Sequence, residues 1–319
     1  MKTFVRLLAL LALACAGSAF AQRYPTHPIK VIVPWPPGQA TDLAARMVAE
    51  RLTPVVGQPL VVDNRPGAGG VIGCEAAAKS PADGYTLVAG SSGPISISPN
   101  VQKVAYNPLK DFAPISLLAV NPFVLVVNPK IPAKNTKELI DLLKANPGKY
   151  SFASSGAGAT SHLMSVLFNS MAKVNAVHVP YKGSSQSITD VVNGQVAYTI
   201  ETVPAVAGLV KAGKLRALAV TGSKRAEAMP EIPTIADTLP GYEMFGWIGL
   251  MAPAGTPVRI TDRLSAETRK IMQDPEIRKK FLAAGMEPAG NTPKEFAEFI
   301  RKQNDRYGAI VKEAHIKLD

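Results

Sequence analysis

The stretch Ser151-Phe152-Ala153-Ser154-Ser155-Gly156-Ala157-Gly158-Ala159-Thr160-Ser161-His162 decides how this chain folds. A run from Lys149 to Ala153 enters it as a predicted strand, and Gly156 and Gly158 force a turn. Thr160 or Ser161 then caps a helix carrying Leu163, Met164, Leu167 and Phe168. Small residues keep the loop clear of side chains, so backbone N–H groups at the helix start are free to face a negatively charged group that the helix dipole favours. The stretch predicts an anion cradle: Ser154, Ser155, Gly156, Gly158, Ala159 and Thr160 are its candidate binding residues.

A second loop of the same kind lies upstream. Ile29 to Val33 reads as an apolar strand that ends in Pro34-Trp35-Pro36-Pro37-Gly38-Gln39-Ala40, and a helix follows from Thr41. Leu60 to Val62 and Tyr85 to Ala89 are further strands, the latter leading into Gly90-Ser91-Ser92-Gly93. Apolar strands alternating with amphipathic helices predict a parallel sheet covered on both faces. The pattern restarts with strands at Phe123 to Val127, Lys149 to Ala153, Ala176 to Val179, Val196 to Ile200 and Leu215 to Val220. Helices alternate with them at Thr136 to Ala145, Ser161 to Ser170, Ser185 to Val192 and Pro204 to Lys211.

After a strand at Trp247 to Met251 come three helices from Pro257, Pro275 and Pro293, each opened by a proline in its first turn. They lack a sheet of their own and are expected to return to the first lobe. The reading is therefore α/β, with two Rossmann-like lobes joined by two crossovers near residues 120 to 125 and 240 to 250. Its divisions are 1–21 signal peptide, 22–122 first lobe, 123–246 second lobe and 247–319 return to the first lobe. Ligands in open α/β sheets gather at the carboxyl ends of strands, so the two glycine loops are expected to face each other across a cleft that closes by a hinge.

The first residues read as an export signal: Lys2 and Arg6, an apolar run from Leu7 to Ala14, and the cleavage site Ala19-Phe20-Ala21, which places the mature start at Gln22. That run is too short to span a bilayer, for which about 20 residues are needed. Removing it leaves Cys74 as the sole cysteine, so no intramolecular disulfide is expected. The net charge of +11 falls by two, to +9, when Lys2 and Arg6 are cleaved. The remaining basic excess is spread out, with Arg278-Lys279-Lys280 its densest run. Aromatic residues make up 6% of the chain, so neither a basic stripe nor a stacking platform for nucleic acid is present in the sequence.

Catalysis finds no constellation either. Gly67-x-Gly69 follows a strand, but the next glycine at helical distance, Gly73, falls one position too late for a dinucleotide fingerprint. Ser154 and Ser155 lack the glycine that a nucleophile elbow requires two residues earlier. His27, His162, His178 and His315 show no metal spacing. No enzyme activity, metal or cofactor is expected.

Several segments together carry a family resemblance. They are Pro28-Ile29-Lys30-Val31-Ile32-Val33-Pro34, Gly57-Gln58-Pro59-Leu60-Val61-Val62-Asp63-Asn64-Arg65-Pro66-Gly67-Ala68-Gly69-Gly70, Pro81-Ala82-Asp83-Gly84-Tyr85-Thr86-Leu87, Val179-Pro180-Tyr181-Lys182-Gly183 and Ala252-Pro253-Ala254-Gly255-Thr256-Pro257. The chain resembles the tripartite tricarboxylate transporter receptors, also called Bug proteins, over essentially its whole mature length. The resemblance implies a type II periplasmic binding-protein fold and capture of a di- or tricarboxylate, an amino acid or an aromatic acid, one carboxylate being held between the two loops partly through ordered water. It further implies a periplasmic monomer that delivers its ligand to a membrane permease, or alternatively a sensor subunit docking on a signalling receptor such as a membrane kinase.

On that basis Trp35, Gly38, Gln39, Ala40, Thr41 and Asp42 join the cradle residues as candidate ligand contacts, with Ser91, Ser92, Tyr181, Glu201 and Thr202. Trp35 is read as an apolar wall, Ser91 and Ser92 as hydroxyl donors. Asp42 is read as complementing its own helix dipole, with an indirect part in binding. His162 reads as packed or backbone-bonded, whereas Tyr181 and Lys182 stand either on the cleft or in solvent. Two departures mark the family pattern: Gln39 stands where a second glycine is usual, and Glu201-Thr202 where an Asp and a small polar residue are usual. Glu201 is expected to meet an amine, a hydroxyl or a ring N–H of the ligand, or else to pair with Lys182.

Overall fold

A computed structural model describes residues 24–313; the predicted signal segment lies outside them. Strands β1 (Ile29–Val33), β2 (Leu60–Asn64), β3 (Thr86–Ser91), β4 (Phe112–Asn121), β10 (Gly246–Pro253) and β11 (Glu287–Pro288) form one sheet in the order β11-β4-β10-β3-β1-β2. Strands β5 (Phe123–Val127), β6 (Ser151–Ser154), β7 (Val177–Pro180), β8 (Tyr198–Thr202) and β9 (Arg216–Val220) form a second sheet in the order β7-β6-β8-β5-β9.

The expected parallel arrangement holds only where a helix returns the chain. β1 pairs in parallel with β2 and β3 across helices α1 (Ala40–Val56) and α2 (Val71–Ala78). β6 pairs in parallel with β7 and β8 across α4 (Thr160–Ala172) and α5 (Ser184–Asn193), α3 (Thr136–Ala145) lying before β6. β10 is antiparallel to β3 and β4, and β5 is antiparallel to β8 and β9. The reason is topological: the chain leaves the first sheet from β4 and re-enters it through β10, running the opposite way. β4 itself lies where the sequence reading placed no element, in an apolar run that contains Pro114 and ends before Pro122.

Two connections join the sheets. Asn121-Pro122-Phe123 carries β4 into β5, and the segment after β9 leads back to β10. They run side by side: Thr221 N–H donates to Phe123 O at 3.0 Å, Phe123 N–H donates to Thr221 Oγ1 at 3.0 Å, and Met244 N–H donates to Thr221 O at 2.9 Å.

Helix α6 (Val203–Lys211) completes the second lobe's βα units, and α7 (Val258–Gln273), α8 (Pro275–Ala283) and α9 (Pro293–Glu313) return to the first sheet as expected. α9 lies across β10, where Phe296 meets Trp247 edge to face at a centroid distance of 5.7 Å and Tyr307 donates to Phe245 O at 2.6 Å. Trp247, Phe296 and Tyr307 are all essentially buried. Burial of each such side chain contributes about 1.5–3 kcal/mol, which fixes the C-terminal helix in place.

Candidate functional site

The glycine loop after β6 is more internally bonded than its sequence suggests. Ala159 is the N-cap of α4 and neither Thr160 nor Ser161 caps the helix with its side chain, because the helix begins at Thr160. Ser161 Oγ instead folds back to accept from Ser155 N–H at 3.0 Å and shares a 2.8 Å hydrogen bond with Ser155 Oγ. Gly156 N–H donates to Ser154 Oγ at 3.3 Å, Gly158 N–H to His162 Nδ1 at 3.3 Å, and Ala159 N–H to Gly156 O at 3.1 Å. The amides expected to face an anion are thus used within the loop, and the outward donors are those of the first helical turn, which lacks intrahelical partners by construction.

A stacked aromatic column supports this loop from below. His162 lies 4.0 Å from His178 with rings tilted by 12°, and Phe152 stacks on His178 at 4.9 Å. Ser154 Oγ shares a 2.7 Å hydrogen bond with His178 Nε2. Burial, with His178 beside it, depresses the His162 pKa to about 3, and burial depresses that of His178 to about 4. Both rings are therefore neutral at physiological pH, so the column presents no cation to the loop.

The matching loop of the first lobe is held by Asp42. Its carboxylate accepts from Gly38 N–H at 2.9 Å, from Arg46 Nε at 3.0 Å and from Asn64 Nδ2 at 2.8 Å. Burial alone would raise its pKa, but these donors together hold it below the usual carboxylate range. Asn64 Nδ2 also donates to Trp35 O at 2.9 Å, tying the entry of the loop to its exit.

The two loops meet. Ser92 Oγ and Thr160 Oγ1 share a 2.8 Å hydrogen bond between the lobes, and Ser98 Oγ donates to Gly158 O at 3.2 Å. A Cβ on Gly69, whose φ is +63°, would stand 2.7 Å from Ala157 O of the other lobe, and one on Gly183 would stand 2.8 Å from Pro36. The lobes are closed on each other, and glycine is what permits the approach.

Between them lies a narrow cavity of about 30 Å³. Of the residues singled out in the sequence, Trp35, Gln39, Ala40, Thr41, Ser91 and Ser92 line it from the first lobe, and Ser155, Thr160, Glu201 and Thr202 from the second. Trp35 serves as a wall and donates from Nε1 to Ser91 Oγ at 2.8 Å. Gly38, Asp42, Ser154, Gly156, Gly158 and Ala159 lie behind the lining, where they shape the loops. Tyr181 faces a separate surface groove, its hydroxyl donating to Asp190 at 2.5 Å.

The lining also includes Asn121, Phe123, Trp247 and Ile248 from the two connections, together with Ser161 and Ser184. The first four sit where the sequence predicted crossovers, but nothing in their residue types marks them as facing a cavity.

Four helices start at this cavity: α1 after Gln39, α4 after Ala159, α5 after Gly183 and α6 after Thr202, and none has a side-chain cap. Elsewhere Asn135, Asp274 and Thr292 do supply such bonds, to Glu138 N–H, Glu276 N–H and Glu295 N–H, while α2 and α7 also begin without one. Four uncapped N-termini make a concentrated field of partial positive charge.

Five lining atoms, Gln39 Nε2, Asn121 Oδ1, Glu201 Oε1, Thr202 Oγ1 and Trp247 Nε1, are buried without a hydrogen-bond partner among the described residues. Buried polar groups are ordinarily paired, so their gathering in one cavity marks a place for a polar guest. Glu201 does not pair with Lys182. Its Oε2 accepts from Ser184 Oγ at 2.7 Å, and burial raises its pKa to about 7.

Residues 44–316 match the tripartite tricarboxylate transporter family receptor. The chain belongs to that family. Protein BugT of Bordetella pertussis is 40% identical over 323 residues, covering 98% of each chain. Among solved structures, R. palustris Rpa4515 with adipate superposes with a TM-score of 0.89 at 34% identity, covering 92% of this chain and 99% of that one. MatC from Rhodopseudomonas palustris with bound malate superposes with a TM-score of 0.85 at 29% identity, covering 90% and 100%. The two-lobed fold is that of neighbours such as periplasmic binding protein BugD, and the family and its structural neighbours are substrate-binding proteins.

Proposed function

We propose that this chain is a periplasmic solute-binding protein that captures one small carboxylate between its lobes and delivers it to a membrane permease. The observation that carries the reading is the convergence of four uncapped helix N-termini on a closed interlobe cavity edged by serine and threonine hydroxyls. Such termini accept a carboxylate without any formal cation. The relatives crystallised with adipate and malate support the ligand class, and the receptor family supports hand-over to a permease. The export signal read at residues 1–21 agrees with a periplasmic location, and among the described residues no helix is long and apolar enough to cross a membrane.

A ligand made inaccessible by closure contributes through contacts that only the closed form offers. Binding therefore stabilises the folded, closed protein: at about 100 times the dissociation constant a ligand adds roughly 2.7 kcal/mol. A thermal-shift screen of small carboxylates against their uncharged amides tests the proposal. A rise in Tm with an acid but not with its fully amidated form is expected. Equal shifts with both, or none with any acid when denaturing mass spectrometry also finds no retained ligand, would contradict it.

A further inference from the structure

Glu201 is the one residue with a formal charge in the cavity lining among the described residues, and no lysine, arginine or histidine accompanies it there. A chain with a net charge of +11 has thus built a binding cavity whose only ionisable lining side chain among the described residues is a carboxylic acid. The carboxyl group is 1% exposed, and its two oxygens differ. Oε2 is satisfied at the start of two helices, by Ser184 Oγ at 2.7 Å on α5 and by Thr202 N–H at 3.4 Å before α6. Oε1 has no partner among the described residues.

This divides the cavity into two ends. Glu201 sets its carboxyl group at the starts of α5 and α6, where it accepts from the Ser184 hydroxyl and the Thr202 N–H. α4 has no acidic residue in its first turn, and the one in α1, Asp42, is engaged with Gly38, Arg46 and Asn64 behind the lining. The starts of α1 and α4 are therefore the end at which an anion is favoured. At the other end an ionised carboxylate can only accept hydrogen bonds, and a second carboxylate brought against it meets repulsion in a site without a counter-cation.

We infer that Glu201 makes the cavity select ligands with one carboxylate and a hydrogen-bond donor at the far end, an amide, hydroxyl or ammonium, over dicarboxylates. The inference rests on the carboxylate reading proposed above and narrows it. It separates this chain from the relatives crystallised with adipate and malate, whose ligands carry two carboxylates.

Calorimetric titration at pH 8, where Glu201 is mainly ionised, tests it with matched probes: succinate, glutarate and adipate, each against its monoamide and its ω-hydroxy monocarboxylate. In at least one series the monoamide or hydroxy acid binds, and the dicarboxylate is weaker by about tenfold or more. Glu201→Gln, whose amide can donate, brings the dicarboxylate to within about threefold of its monoamide while the monoamide still binds. Dicarboxylates that bind as tightly as their monoamides at pH 8, or a ratio unmoved by Glu201→Gln, would overturn the inference and leave the carboxylate reading standing. If no member of any series binds, the carboxylate reading falls and takes the inference with it.

Discussion

Ser92 Oγ and Thr160 Oγ1 stand 2.8 Å apart, joining by one buried hydrogen bond the start of the first lobe's Gly93 segment to the first residue of α4 in the second lobe. Both residues also line the cavity, so the bond that latches the lobes is part of the wall around the guest. Thr160→Val keeps the shape and removes the hydroxyl. A typical buried hydrogen bond contributes about 0.5–1.5 kcal/mol, so calorimetry is expected to show ligand affinity reduced by about three- to tenfold, with unchanged secondary structure by circular dichroism. Unaltered affinity would remove the pair from the closing mechanism.

Gly69 takes a left-handed φ of +63° and leaves no room for a side chain against Ala157 O of the facing lobe. Gly69→Ala adds about 1–2 kcal/mol of local backbone cost, but its larger effect falls on closure, since the added methyl meets backbone rather than a flexible side chain. Small-angle scattering with saturating ligand is expected to show the variant more extended than the parent chain. Equal compaction would show that the lobes close without this approach.

Asp42 is 2% exposed and gathers three donors around the loop that leads into α1. Asp42→Ala removes the acceptor shared by Gly38 N–H, Arg46 and Asn64, at a cost of about 1.5–3 kcal/mol for hydrogen bonds to a charged group. Urea denaturation is the check, and a loss below about 0.5 kcal/mol would mean that the loop holds its shape unaided.

Acidification acts on two elements with opposite sign. His162 and His178 have folded pKa values depressed to about 3 and about 4, so below the ordinary value of 6.5 the unfolded chain binds more protons and stability falls. Glu201 is raised to about 7, so the folded chain binds more protons between its ordinary value of 4.5 and 7, and stability rises as the pH drops through that window. The two trends partly offset each other. In Glu201→Gln the carboxyl contribution disappears, and the loss between pH 7 and pH 5 is expected to exceed that of the parent chain by about 2 kcal/mol in chemical denaturation. Parallel stability curves would refute the buried-carboxyl assignment.

Much of this architecture was readable from the sequence because local rules and the global fold agree. β1, β5 and α3 fall at the residues that their apolar patterns and turn signals predict. β4 escaped because Pro114 lies within it, and the mixed direction of the sheets because strand polarity depends on which lobe the chain returns to. In the cavity, the loop residues were legible from glycine and hydroxyl content. Asn121 and Trp247 were not, since a lone amide on a crossover and a tryptophan in an apolar run look alike whether they face a core or a cavity; Trp247 here faces both, packing on Phe296 and lining the cavity. The partner of Glu201 was likewise out of reach: Lys182 is nearer in sequence to a charge match, yet the start of α5 brings Ser184 to it.

Capture of one carboxylate by donors of both lobes at once is checked by a crystal structure with the tightest-binding acid from the screen. Carboxylate oxygens are expected within about 3.2 Å of first-turn donors of both α1 and α4, with the rest of the molecule directed toward Glu201. A ligand contacting a single lobe, or seated in the surface groove beside Tyr181 and Asp190, would contradict it.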